Sequence, residues 1–73
     1  MNQNLLDNLC VFISETKQNN AYDIYNDWAK KNNLRLSYEE SKLYVGYINR
    51  FIFIRDTQKQ LFKNTVDQIK EMA

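Results

Sequence analysis

The chain has 73 residues, a net charge of +1, a single cysteine and no histidine. A chain of this length forms one domain, here residues 1–73, and it can contain neither an internal disulfide nor a histidine-based zinc site. Because the net charge is close to zero, no long-range field attracts DNA, RNA or an anionic membrane, and electrostatics do not indicate a partner.

The sequence contains no proline and a single glycine, Gly46. Turns and hairpins depend on these two residue types, so their scarcity favours helices over strands. We therefore predict an all-α fold, a small helical domain in which two short amphipathic helices pack on a long C-terminal helix.

The first two predicted helices are both amphipathic. The first covers about residues 4–17, and the second covers residues 21–31, with Asn20 in position to cap its start. Their apolar faces comprise Leu5, Leu6, Leu9, Phe12 and Ile13 in the first helix, and Ala21, Ile24, Tyr25, Trp28 and Ala29 in the second.

The third helix has the clearest start in the sequence. Ser37 and Glu40 form a capping box, in which each side chain satisfies a backbone N–H at the helix start, so the helix begins at Tyr38. The apolar residues then keep one helical phase as far as Met72, which favours one continuous or gently bent helix of about 50 Å. An apolar pattern of that length without caps suggests self-association.

Two features interrupt this long helix. Arg55 and Gln58 place polar side chains in the middle of the apolar stripe, and Asp56 or Thr57 could cap a new helix. A kink or break near residues 55–57 is therefore the alternative prediction. The stripe itself comprises Tyr44, Tyr47, Ile48, Phe51, Ile54, Phe62, Thr65, Val66, Ile69 and Met72.

The residue types that enzymes need are scarce. The commonest general base, histidine, is absent, and one glycine cannot build a phosphate-binding loop. Cys10 has no base near it in the sequence and is interpreted as a small core residue. The carboxylates of Asp23 and Asp27 share a helix face, which is more typical of solvated surface than of a cation site. We therefore predict no enzyme activity and no cofactor, metal or small-molecule ligand.

Two features bear on location. No stretch of the sequence approaches the roughly 20 apolar residues that span a bilayer, so no membrane is expected among the partners. A single unpaired cysteine suits a reducing compartment, which predicts a cytoplasmic protein.

The segment YINRFIFIRD, Tyr47 to Asp56, is apolar on nearly all sides of the predicted helix. Phe51 falls on the core face, whereas Phe53 points nearly opposite and is the residue that most needs a second chain. We therefore predict a protein-protein interaction module, either a homodimer or an adaptor, inhibitor or regulator of a larger cytoplasmic protein. The predicted contact residues are Phe53, Ile52, Arg50, Tyr47 and Phe62.

The alternative function is DNA binding by a helix-turn-helix-like unit over residues 21–50. A small basic patch could consist of Lys30, Lys31, Arg35 and Lys42. Glu39 and Glu40 oppose this function, because they would meet the phosphates at the start of the recognition helix.

Overall fold

The computed structural model describes the backbone from Asn2 to Met72 and the side chains from Leu5 to Met72. Over this range the chain is all-helical, with no strand, so the predicted fold class is confirmed. The helices are α1 (Asn2–Glu15), α2 (Ala21–Lys31), α3 (Tyr38–Thr57) and α4 (Lys59–Met72). The shorter helices α1 and α2 both pack against α3, and α4 packs against α1 and α3.

Side-chain caps determine where α2 and α3 begin. The Asn20 side-chain oxygen accepts hydrogen bonds from the N–H groups of Tyr22 and Asp23, at 3.0 and 3.1 Å. At the start of α3, Ser37 Oγ accepts from the N–H of Glu40, and Glu40 Oε1 accepts from the N–H of Ser37, both at 3.1 Å. Each cap satisfies backbone donors that have no partner inside the helix. Both predicted helix starts are therefore confirmed.

The prediction of a continuous C-terminal helix is wrong, and the alternative of a break is correct. The break is a single residue, Gln58, with φ −130° and ψ 61°. Its N–H donates to Ile54 O at 2.7 Å, and its carbonyl accepts from the N–H of Phe62 at 2.9 Å. Thr57 Oγ1 also donates to Phe53 O at 2.7 Å, a bond that competes with the helix backbone and bends helices. Backbone hydrogen bonding continues on both sides of Gln58. The apolar residues before and after the break therefore keep the same helical phase, even though the helix is interrupted.

The break lets α4 fold back over the other helices. The longest dimension of the molecule is 33 Å, well short of the roughly 50 Å that one helix over the same residues would need. Phe62 on α4 is buried, and its ring centroid lies 6.5 Å from that of Phe51 on α3. The length of a continuous C-terminal helix, which was the basis for predicting self-association, is therefore not available as an argument for it.

The hydrophobic core lies where all four helices meet. Its centre is Trp28, which is fully buried against the Tyr44 ring at a centroid distance of 5.6 Å. The Trp28 Nε1–H donates to Asn8 Oδ1 at 2.8 Å, which satisfies the buried indole and joins α2 to α1. The buried core residues are Leu9, Cys10, Ile13, Ala21, Ile24, Trp28, Tyr44, Val45, Ile48, Ile52, Phe62 and Val66.

Arg55 holds the C-terminal end of α1. Its Nη1 donates to three backbone carbonyls just at and beyond that end, those of Ile13 (3.2 Å), Thr16 (3.2 Å) and Gln18 (3.0 Å). Its Nε pairs with the carboxylate of Asp56 at 2.9 Å, and this hydrogen bond lowers the pKa of Asp56. A guanidinium at a helix C-terminus satisfies unpaired carbonyls and complements the helix dipole. The polar residue that interrupts the apolar stripe thus fastens α3 to α1.

Candidate interaction surface on helix α3

The face of α3 opposite the core carries a regular row of exposed residues. Its members are spaced alternately four and three residues apart, so they fall within about 80° of one another at roughly 100° per residue. They lie on the side of α3 opposite the fully buried Ile48. We call this row the α3 stripe; it comprises Glu39, Leu43, Gly46, Arg50, Phe53 and Thr57, all of them exposed.

Two large apolar side chains of the α3 stripe face solvent. Phe53 is 63% exposed and Leu43 is 54% exposed. They lie about 15 Å apart along the helix, at 1.5 Å per residue. A single exposed apolar residue is ordinary, and the alignment of two on one face of one helix makes this face the candidate contact surface.

Gly46 lies between these two residues and leaves a gap in the stripe. A Cβ atom added at this position would meet nothing within 4 Å, and the residue does not have positive φ. Neither the backbone conformation of Gly46 nor packing against the described residues therefore requires a glycine here. A glycine inside a helix costs about 0.5–1 kcal/mol relative to alanine. The chain bears that cost for no benefit among its own described residues.

The stripe also carries one charge of each sign. Glu39 lies in the first turn of α3 and Arg50 in its fourth, and both are exposed. The ion pairs found between Leu5 and Met72 join other residues. The two charges on the α3 stripe are thus available to a partner.

The five residues predicted to make contacts fall in three different environments. Phe53 and Arg50 lie on the α3 stripe. Tyr47 is half-buried at the edge of the core. Ile52 and Phe62 are only 9% and 5% exposed, so neither is accessible to a partner, and their assignment to the contact surface is corrected. Both are buried because the core face of α3 is rotated toward Ile52 and because α4 folds back.

Four members of the stripe are not among the predicted contact residues: Glu39, Leu43, Gly46 and Thr57. In the sequence, Glu39 stands out only as a charge that repels DNA, Gly46 as the single glycine and Thr57 as a possible helix cap, and nothing marks Leu43. The signal that could have found them is the alternating spacing of four and three, which is the spacing of a coiled-coil heptad.

Other parts of the molecule offer weaker candidates. Surface clefts of about 520 and 540 Å³ lie along α4, each lined by a mixture of charged and apolar side chains. No buried side-chain nitrogen or oxygen among the described residues lacks a hydrogen-bond partner, so no such atom points to a ligand in either cleft. Within residues 2–72, no cluster of acidic and cysteine side chains is arranged to hold a metal ion.

Comparison with known proteins identifies no relative. No protein-family model, curated protein or solved structure matches this chain. Its function is therefore inferred from its own residues. No helix between Asn2 and Met72 combines the length and apolar character needed to cross a membrane.

Proposed function

We propose that this chain is a small, non-enzymatic protein-protein interaction module that binds another protein chain through the α3 stripe. The observation that supports this most directly is the alignment of two exposed apolar side chains, Phe53 and Leu43, on one face of one helix. Burying apolar area of this kind against a partner is favourable by about 25 cal/mol per Å².

The proposed mechanism is binding alone, without a chemical step. The chain acts by covering a surface of its partner, as an adaptor, inhibitor or regulator of a larger cytoplasmic protein, or by pairing with a second copy. A reducing cytoplasm is consistent with Cys10, which is 5% exposed and whose pKa burial raises to about 11, so the thiol stays protonated and inert.

Site-specific photo-crosslinking tests the proposal. A benzoylphenylalanine placed at Phe53 replaces one aromatic residue by another, and the same group at Tyr22, which is 68% exposed on α2, is the matched control. In the native host, position 53 should form a discrete adduct with another chain, whereas position 22 should not. Absence of an adduct at position 53, or the same adducts from both positions, would remove the α3 stripe as the contact surface.

DNA binding by residues 21–50 stays a prediction, and the helix geometry adds nothing in its favour. The connection between α2 and α3 is six residues long, 32–37, whereas helix-turn-helix units use three or four. Glu39 and Glu40 lie exposed in the first turn of α3. Fluorescence anisotropy with duplex DNA at low salt would detect such binding, which should weaken steeply as salt increases.

A further inference from the structure

We infer that the chain covering the α3 stripe is a second copy of this protein, docked antiparallel. Leu43 of each copy packs into the gap over Gly46 of the other, and Glu39 of each copy pairs with Arg50 of the other. This inference rests on the proposed function of the α3 stripe and adds the identity and register of the partner.

The spacing of the stripe suits two packed helices. Alternating intervals of four and three residues place the same face toward a neighbouring helix along the whole of α3. In an antiparallel pair with two-fold symmetry, residues that face each other have numbers that add up to a constant. The residue numbers of Leu43 and Gly46 have the same sum as those of Glu39 and Arg50. One register therefore makes both contacts, and the two-fold symmetry makes each contact twice.

The register also accounts for Phe53. The same constant places it opposite Leu36 of the second copy, directly before the Ser37 cap. Leu36 is half-buried and packs against the core, so part of its side chain remains open to a partner. Three apolar or charged pairs, each present twice, then run along the contact.

Charge complementarity selects this arrangement over the others that the spacing allows. A parallel pair would place Arg50 beside Arg50 and Glu39 beside Glu39, and like charges across an interface are strongly unfavourable. An antiparallel pair shifted by one heptad would place Leu43 opposite Phe53, but Arg50 would then face Gly46 and Glu39 would face Thr57. Only the proposed register pairs every charge of the stripe with an opposite charge.

The same register accounts for the presence of a glycine at position 46. The glycine, which no contact with the described residues requires, becomes the gap that receives Leu43 of the second copy. Close approach of two helices at a residue without a side chain increases packing along the rest of the contact. A substitution that fills the gap should therefore separate the copies without disturbing the fold of either.

Charge reversal tests the register through two variants and their mixture. Glu39→Arg places two arginines at each charged contact of a homodimer, and Arg50→Glu places two glutamates there. By sedimentation velocity, each variant alone should dimerise at least about tenfold more weakly than the wild type, which corresponds to about 1.4 kcal/mol. Mixing the two variants restores both opposite-charge pairs, so the mixture should associate to within about threefold of the wild type.

Gly46→Leu provides a separate readout. Its helical circular dichroism should equal that of the wild type, because nothing lies within 4 Å of the new Cβ atom, while dimerisation should be lost. Variants that remain dimeric, or a mixture of charge variants that does not associate, would overturn the proposed register. A wild-type protein that is monomeric at about 100 μM would overturn self-association itself. A discrete adduct from position 53 with a different protein would then leave the proposed function standing.

Discussion

Replacing Arg55 by methionine should remove the main polar link between α3 and α1. Methionine keeps an unbranched apolar stem but has no donor for the carbonyls of Ile13, Thr16 and Gln18. α1 has no basic residue in its own last turn, so Arg55 supplies the positive charge at this helix end from α3. The variant leaves those carbonyls to water or to no partner.

The expected loss in free energy of unfolding follows from the contacts of Arg55 and from the desolvation that partly cancels them. Hydrogen bonds to a charged group contribute about 1.5–3 kcal/mol, but one nitrogen shared among three carbonyls does not contribute that amount three times. A cation at a helix C-terminus adds up to about 2 kcal/mol in a partly buried site. The Arg55 side chain is only 16% exposed, and its desolvation offsets part of this gain. A net loss of about 2–3 kcal/mol is expected, which is about half the stability of a domain this small.

Urea denaturation followed by circular dichroism measures this loss. Arg35→Met is the matched control, since Arg35 is exposed in the connection before α3 and the substitution removes the same charge. We expect the control to change stability by less than about 0.5 kcal/mol. Arg55→Lys, which keeps the charge without the fork, should fall between the wild type and Arg55→Met. Equal midpoints for Arg55→Met and Arg35→Met would refute the role assigned to the guanidinium.

Three further predictions concern the core and the two faces of α3. Asn8→Ala should cost about 1–2 kcal/mol in thermal denaturation, because it leaves the buried indole N–H of the one tryptophan unpaired, whereas Asn26→Ala on the exposed face of α2 should cost nothing. Burial raises the pKa of Cys10 from 9.0 to about 11, so its contribution to stability is complete below pH 9 and is lost as the pH rises toward 11. The stability difference between wild type and Cys10→Ala should therefore shrink over that range, and a constant difference would contradict the shift. Phe51→Asp should unfold the domain, whereas Phe53→Asp should keep its helical circular dichroism and lose association; equal unfolding of both would place Phe53 in the core.

The helix starts could be predicted from the sequence because their causes are local. Asn20 and Ser37 bond to backbone groups two or three residues away, and these distances are fixed once the helix forms. The Ser37–Glu40 capping box needs no information about the rest of the fold. The fold class could be predicted for a similar reason, since the scarcity of glycine and proline acts at every turn.

The break at Gln58 could not be located because its cause is not local. Its flanking hydrogen bonds preserve the helical phase, so the apolar pattern is the same with or without a break. What favours the break is contact between distant residues, such as Phe62 with Phe51, which forms only after α4 turns back. The two polar residues that interrupted the apolar stripe, Arg55 and Gln58, were nevertheless both informative: one fastens α1 and the other is the break.

The position of the break also determines which face of α3 is left for a partner. With α4 turned back, α1, α2 and α4 all pack against α3, and the apolar residues of α4 such as Phe62 and Val66 are buried inside the molecule. In one long helix the same residues would have extended past the short helices into solvent. The break therefore removes apolar surface from one end of the molecule, while Leu43 and Phe53 remain as the two aligned apolar side chains of the α3 stripe. A partner is thus inferred from the exposed face of α3 and no longer from the length of a continuous C-terminal helix.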